Sequence, residues 1–137
     1  MKNSKDNTET NRAKSLVIKE GTKVIKADEY KGREDLFSII LPKSLETIEK
    51  SAFEDCKNLE TVIFNEGLKT VGRCAFYGCS KLRKVELPNS VESIKNQGFY
   101  NCSKLECVNL GNGLKEIGNW AFEECIRLKT IVFPKSL

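Results

Sequence analysis

The chain has 137 residues, of which 39% are hydrophobic and 31% charged, and it contains no histidine. This profile is typical of one globular domain that can bury its own core without disulfide or metal cross-links. The missing histidine excludes His-based triads, mixed Cys/His zinc sites and imidazole pH switches, and a net charge of only +4 gives no reason to expect a nucleic acid as partner.

The first twelve residues contain no apolar side chain after Met1. Such a segment cannot offset the entropy lost on ordering, so we predict that residues 1–12 form a disordered polar leader. The chain shows neither the apolar stretch of a secretory signal peptide nor the about 20 apolar residues of a membrane span. We therefore expect no membrane insertion.

Residues 13–137 repeat with a period of 23 residues, visible first in apolar residues that precede turn-forming ones. These pairs are Leu41-Pro42, Phe64-Asn65, Leu87-Pro88, Leu110-Gly111 and Phe133-Pro134. In the same register, further columns are Leu36, Leu59, Leu82, Leu105, Leu128; Ile39, Val62, Val85, Val108, Ile131; Tyr30, Phe53, Phe76, Phe99, Phe122; and Cys56, Cys79, Cys102, Cys125. An ordinary amphipathic pattern would drift out of phase within one or two cycles, so this regularity predicts stacked structural units.

Each unit predicts a strand followed by a bend and a return segment. Alternation places Val62 and Phe64 on one face of a strand and Ile63 on the other, and a Ser or Gly in every unit fits the bend that follows. Phe76 and Cys79 are three residues apart, which would bring both to the inward side of a helical or 3₁₀ turn. Units stacked about 4.8 Å apart would form a curved solenoid with a parallel sheet on its concave side.

The element Ala-Phe-x-x-Cys occurs at Ala52-Phe53-Cys56, Ala75-Phe76-Cys79 and Ala121-Phe122-Cys125. Through this element, residues 13–137 resemble the BspA-like, or Treponema-type, leucine-rich repeat family. The first copy departs from the pattern, with Glu29, Tyr30 and Arg33 in place of Ala, Phe and Cys, as expected of an amino-terminal capping repeat. The expected fold class is an α/β solenoid of about five 23-residue units, with a short parallel concave sheet, short helical or 3₁₀ turns on the convex side, and an incomplete last repeat.

The sequence predicts no catalytic residue, metal site or cofactor. Cysteines in a column between Leu and Phe behave as small buried hydrophobes, so we expect reduced thiols and neither disulfides nor zinc. The acidic residues fall at positions that face solvent, and the glycines follow the bends and form no phosphate-binding loop. We therefore expect that the protein is not an enzyme.

The outward-facing strand positions would line the concave face, where we expect a partner to bind. The candidate binding residues are Val17, Phe37, Ile40, Ile63, Lys84, Glu86, Asn109 and Val132. Three successive aliphatic residues among them would form an apolar patch about 10 Å long, which Phe37 extends. The alternative is that these side chains are present only because they favour strand conformation. Trp120 has no counterpart in the other repeats and is interpreted as packing for the last turn, with an exposed anchor as the alternative.

The sequence thus predicts a non-catalytic interaction module that binds a protein or peptide partner. Resemblance to the BspA-like family implies adhesin-type binding at a cell surface, although the chain carries no signal peptide, so localisation stays open. The alternative is an intracellular scaffold or a self-assembling structural protein. The last repeat presents Ile131, Phe133 and Leu137 at an uncovered strand edge, and we expect another copy of the chain to cover it in a homo-oligomer.

Overall fold

The computed structural model describes residues 14–137, and the predicted leader at residues 1–12 lies outside them. Six longer strands recur along the chain: β1 (Lys14–Val17), β3 (Leu36–Ile40), β5 (Thr61–Ile63), β7 (Lys84–Glu86), β9 (Cys107–Asn109) and β11 (Thr130–Val132). Five two-residue strands alternate with them: β2 (Val24–Ile25), β4 (Thr47–Ile48), β6 (Thr70–Val71), β8 (Ser93–Ile94) and β10 (Glu116–Ile117). The described residues contain no helix, and thus none long and apolar enough to cross a membrane.

All strand pairs are parallel, and they join residues one repeat apart, as Ile39 with Val62 and Ile48 with Val71. The longer strands form two three-stranded sheets, β1-β3-β5 and β7-β9-β11, while the short strands form one five-stranded sheet, β2-β4-β6-β8-β10. The predicted parallel solenoid of about five 23-residue coils is therefore confirmed. The sheet of short strands is a feature that sequence analysis does not predict.

The prediction of helical or 3₁₀ turns is wrong, and with it the α/β class, because the turn segments hydrogen-bond differently. In the second coil, the N–H groups of Ala52, Glu54 and Cys56 close turns on carbonyls three residues earlier, at 3.2 Å. The N–H groups of the residues between them donate instead to carbonyls of the next coil, at 2.7 to 2.8 Å. Because every second N–H bonds between coils, no helix forms, and the segment becomes a third hydrogen-bonded ladder along the solenoid.

This alternation depends on left-handed backbone conformations that recur in each coil. The φ angle is 58° at both Ser51 and Asp55. The later coils repeat the pair at Cys74 and Gly78, Gln97 and Asn101, and Trp120 and Glu124. A left-handed non-glycine residue costs about 1–2 kcal/mol, and the hydrogen bond gained between coils offsets that cost.

Inward-facing side chains form columns that run along the solenoid. Phe53, Phe76 and Phe99 are fully buried, as predicted, and consecutive rings stack with their centroids 5.2 Å apart. Tyr30 and Phe122 continue this ladder at its two ends, each at 5.3 Å from its neighbour. Phe122 is only half-buried, because among the described residues no further ring stacks on its other side.

The cysteine column adds hydrogen bonds to this packing, beyond the hydrophobic role that sequence analysis assigns it. The Sγ atoms of Cys79 and Cys102 lie 3.2 and 3.3 Å from the carbonyl oxygens of Phe53 and Phe76, to which the thiols donate. Cys56 and Cys125 make the same bond one coil earlier and one coil later. Each thiol therefore links a Phe-x-x-Cys element, preceded by Ala or, at Gly98, by Gly, to the aromatic residue of the preceding coil.

Serine and glycine alternate at the bend, and together they join neighbouring coils. Ser90 Oγ accepts a hydrogen bond from the N–H of Gly67 at 3.0 Å and donates one to the carbonyl of Leu68 at 2.7 Å. Gly67 has a φ of 120°, and a Cβ at this position would overlap the carbonyl oxygen of Lys43. Glycine is therefore required here by both backbone conformation and space.

Candidate functional site

The outer face of the longer strands carries most of the predicted binding residues. In β5 the central Val62 is buried, while its neighbours Thr61 and Ile63 are exposed, so alternation works as in an ordinary half-buried strand. The same pattern holds in β7 and β9, where Lys84, Glu86 and Asn109 face outward. Val132 is likewise exposed in β11.

Three aliphatic side chains form a row across the first sheet. Strand register pairs Val17 with Ile40 and Ile40 with Ile63, so the three lie side by side at strand spacing. Val17 is 64% exposed and Ile63 47%, whereas Ile40, between them, is half-buried. Phe37 is exposed, but it lies at the start of β3, where the alternation is irregular, and the register does not bring it into the row.

The second sheet of longer strands presents a polar row at the corresponding positions. Glu86 pairs in register with Asn109, and Asn109 with Val132. Lys84 Nζ lies 3.2 Å from Glu86 Oε2, and Asn109 Oδ1 accepts a hydrogen bond from the N–H of Gly111 at 3.0 Å. An exposed ion pair of this kind stabilises the fold little, so these groups remain available to a partner.

The two rows are separated by an interruption that sequence analysis does not predict. β5 pairs with β3 and β7 pairs with β9, but β5 and β7 do not pair with each other in the described chain. A cleft of about 350 Å³ lies at the interruption, and it is lined by the segment Glu60–Phe64 and by Arg83, Lys84 and Glu86. The sequence does hold a signal for it, since Phe64 stands where the neighbouring coils have Leu41 and Leu87.

The last coil exposes several apolar side chains together. Phe133 is 57% exposed and Leu137 49%, while Ile131 is half-buried. Trp120 is also 57% exposed, so its interpretation as packing for the last turn is wrong. The three residues predicted for self-association thus lie at the final strand and bend, and what covers them stays a proposal.

The cysteines are all free thiols, and their surroundings make most of them chemically inert. Burial raises the pKa of the Cys56 thiol to about 12 and also raises the pKa of Cys79 and Cys102. A nucleophile or a metal ligand must be a thiolate, and these thiols stay protonated at neutral pH. Within residues 14–137, no three Cys, Asp or Glu side chains are placed to hold a metal ion.

Comparison with known proteins identifies this architecture. The family described as BspA type leucine rich repeat region matches residues 14–137 in six copies, the same number as the longer strands. No curated protein matches the chain.

Solved bacterial structures share the fold. A leucine rich repeat protein of T. pallidum superposes with a TM-score of 0.86 at 27% identity, over 90% of this chain and 60% of that one. A leucine rich cell surface protein of Faecalibacterium prausnitzii gives 0.82 at 25% identity, over 85% of this chain and 31% of that one. A leucine-rich repeat protein of Bacteroides ovatus gives 0.71 at 27%, over 90% and 38%. This chain thus spans 60% or less of the length of each of these relatives.

Proposed function

Because the chain belongs to the BspA-type leucine-rich repeat family, we propose that it is a non-catalytic module that binds a protein or peptide partner on the concave face of its longer strands. Leucine-rich repeat proteins are generally protein-interaction modules. Membership of the family does not by itself indicate which surface binds the partner, because one fold can carry binding sites at different places.

The observation that supports this face is the row of Val17, Ile40 and Ile63. Soluble proteins rarely place contiguous aliphatic side chains in water over several neighbouring strands unless the surface has a use. The polar row of Lys84, Glu86 and Asn109 lies beyond it and supplies both charges and an amide. Apolar side chains beside polar groups are the composition of a protein interface.

A cell-surface, adhesin-like role is part of this proposal. It is supported by the F. prausnitzii relative, which is described as a cell surface protein. It is also supported by the resemblance of the sequence to the BspA-like family, which implies adhesin-type binding. The second candidate is a scaffold that assembles with itself, and it is supported by the exposed Phe133 and Leu137 in the last coil. In that case a second copy of the chain would cover Ile131, Phe133 and Leu137.

A peptide-display selection against the immobilised protein tests the concave face. We expect that selected peptides lose at least tenfold in affinity when Ile40 and Ile63 are both replaced by Lys. The control is Val24→Lys, which places a lysine at an exposed valine of the sheet of short strands and should leave the affinity unchanged; its effect is compared with those of Ile40→Lys and Ile63→Lys made singly, which add the same charge. Equal losses in both variants, or none in either, would contradict the proposed face.

A further inference from the structure

The outer side of the turn in the fifth coil, residues 119–125, carries side chains that do not belong to the concave face. Ala121 and Cys125 are buried there, whereas Trp120, Glu123 and Glu124 are exposed. Trp120 is the only tryptophan of the chain and is 57% exposed. Tryptophan is among the residue types that contribute most to binding at protein interfaces. This turn is therefore a candidate for a second contact surface.

Two stacked tyrosines lie beside this turn, on the two preceding coils. The rings of Tyr77 and Tyr100 are half-buried and nearly parallel, with 13° between their planes and their centroids 4.9 Å apart. Glu123 occupies the same position one coil further along, where its carbonyl accepts a hydrogen bond from the N–H of Asn101 at 2.8 Å. Tyr100 thus has one face against Tyr77 and the other towards the turn that carries Glu123.

The carboxylates of Glu123 and Glu124 lie close to the phenol of Tyr100. Partial burial raises the pKa of Tyr100, and the negative charges of Glu124 and Glu123 raise it further. Within residues 14–137, no lysine or arginine forms an ion pair with either carboxylate, Lys104 and Arg127 of the adjoining segments included. Two such carboxylates beside an open aromatic face create a negative surface that favours a cation.

At its other end, the column that contains the two tyrosines already holds a cation. Its members follow one another at intervals of 23 residues: Lys31, Glu54, Tyr77, Tyr100 and Glu123. Lys31 Nζ lies 3.7 Å from Glu54 Oε1, so the carboxylate on the Tyr77 side has a partner. A cation bound next to Glu123 would repeat this arrangement on the Tyr100 side.

The first coil shows the same chemistry completed within the chain. The guanidinium of Arg33 lies over the ring of Tyr30, with 5.9 Å between Cζ and the ring centroid. Its Nε and Nη2 atoms donate hydrogen bonds to the carboxylate of Asp35 at 2.8 and 2.9 Å. One guanidinium thus contacts an aromatic face and a carboxylate together. Tyr100 and Glu123 offer the same two groups without the guanidinium.

We propose that Tyr100, Trp120, Glu123 and Glu124 bind an arginine-containing segment of a partner protein. The guanidinium lies on the free face of Tyr100 and donates hydrogen bonds to the carboxylates, while Trp120 contacts the segment beside it. Arginine fits better than lysine, because its planar guanidinium stacks on a ring and bonds a carboxylate through two N–H groups at once. The surface belongs to the turns and not to the longer strands, so it is a second binding surface besides the proposed concave one.

Trp120 gives a direct readout of binding, because no other tryptophan contributes to the emission. The ligand is the acetylated and amidated peptide Gly-Arg-Gly-Arg-Gly, and the control peptide has citrulline in place of both arginines, which keeps the shape but removes the charge. We expect a saturable change in emission with the first peptide and at least about tenfold weaker binding of the second, since charge-assisted hydrogen bonds are lost. No saturable change up to millimolar concentration, or equal affinity of the two peptides, would overturn the proposal.

Matched double variants separate this site from a general attraction to acidic side chains. Glu123→Gln together with Glu124→Gln should weaken binding of the arginine peptide at least about tenfold. Glu86→Gln together with Glu92→Gln removes two exposed carboxylates elsewhere, changes the net charge equally and should leave the affinity unchanged. Equal losses in the two double variants would show that net charge alone attracts the peptide, and the proposed site would be wrong.

Tyr100 is tested with two variants that differ in whether a ring is kept. Tyr100→Phe should leave the affinity unchanged, because the ring face remains, whereas Tyr100→Leu should lower it by about fivefold. Thermal melting followed by circular dichroism shows that each variant is folded. A folded Tyr100→Leu variant that binds like the wild type would exclude the ring from the site.

A second copy of the chain is the alternative occupant of this turn. A shift of Trp120 emission with protein concentration, in the absence of peptide, would show that another copy covers the turn and that the proposal is wrong. The concave site is tested separately, because Ile40→Lys and Ile63→Lys should leave binding of the arginine peptide unchanged. Loss of that binding in these variants would place the peptide on the concave face, which overturns this proposal and leaves the proposed function standing.

Discussion

Replacement of Phe76 by alanine tests the stacked core most directly. The side chain is fully buried, its ring stacks on Phe53 and Phe99 at 5.2 Å on both sides, and Phe64 packs against it edge-on. Loss of a buried phenylalanine costs about 3–5 kcal/mol, and the rigid columns on either side limit collapse into the cavity. At about 4 °C per kcal/mol for a domain of this size, we expect the melting temperature to fall by roughly 12–20 °C.

Phe122→Ala is the matched control, because this ring occupies the same column but is half-buried and stacks on one side only. It should cost distinctly less than Phe76→Ala in a denaturant titration followed by circular dichroism. Equal destabilisation of the two variants, or no effect of Phe76→Ala, would refute the reasoning that the aromatic ladder carries much of the stability. A small effect at Phe76 alone would mean that neighbouring coils collapse into the cavity.

The remaining predictions concern thiols, pH and assembly. Under native conditions a thiol reagent should label Cys107 first and Cys74 more slowly, because Cys107 is exposed and Cys74 is half-buried. The four buried thiols should react only after unfolding. Rapid labelling of all six would contradict the buried column. The free energy of unfolding should be constant between about pH 6 and pH 8 and fall above pH 9. The Cys56 thiol ionises at about 9.0 when unfolded but at about 12 when folded, so the unfolded state releases its proton first. Its contribution to the slope is about 1.4 kcal/mol per pH unit, and Cys56→Ala should flatten the curve by that amount. Light scattering at micromolar concentration should show a mass that rises with concentration, and Leu137→Lys together with Phe133→Lys should return it to that of a monomer; a monomer mass at all concentrations would contradict self-association through the last coil.

The register of the solenoid is predictable from sequence because each column needs one kind of side chain. A shift of the register by one residue would expose Val62 and bury Thr61 and Ile63. In a parallel stack, the same exchange of buried and exposed side chains would occur in every coil. The 23-residue period therefore determines which residues pair and which are buried. The six longer strands and the buried aromatic and cysteine columns follow from it.

The turn segments were not predictable in the same way. Their left-handed positions hold Ser51, Cys74, Gln97 and Trp120 in successive coils, and these side chains share no property that indicates a positive φ. The second left-handed column, four residues further along each coil, does carry a signal: it holds Gly32, Asp55, Gly78, Asn101 and Glu124, and Gly, Asn and Asp are residue types that tolerate a positive φ. The spacing of Phe76 and Cys79 agrees with a helical turn and with the observed turns alike, so side-chain pattern could not separate them. The difference lies in the main chain, which donates every second N–H to the next coil.

Part of the candidate site was predictable from the sequence and part was not. Exposure of Val17 and Ile63 follows from strand alternation, which is local, and the sequence is enough to predict it. The cleft depends on whether β5 and β7 pair beside Phe64. That depends on the size of the Phe64 side chain relative to the space between the two coils. The phenylalanine at position 64, in a column of leucines, is visible in the sequence. The sequence does not say how much space the neighbouring Phe53 and Phe76 leave for its ring.

The position of the cleft also explains how the pairing of two longer strands can be missing from a stable solenoid. Other interfaces between complete coils are held by three ladders, formed by the longer strands, the short strands and the turns, and by the buried columns between them. At the interface below β7, the longer-strand ladder is absent, but the β6–β8 pair, the turn ladder from Cys74 to Gly78 and the Phe76–Phe99 stack remain. Since nearest-neighbour terms add in such arrays, loss of a few exposed main-chain bonds at about 1 kcal/mol each weakens one interface without opening it. The coils on either side of the cleft can therefore stay folded although β5 and β7 do not pair.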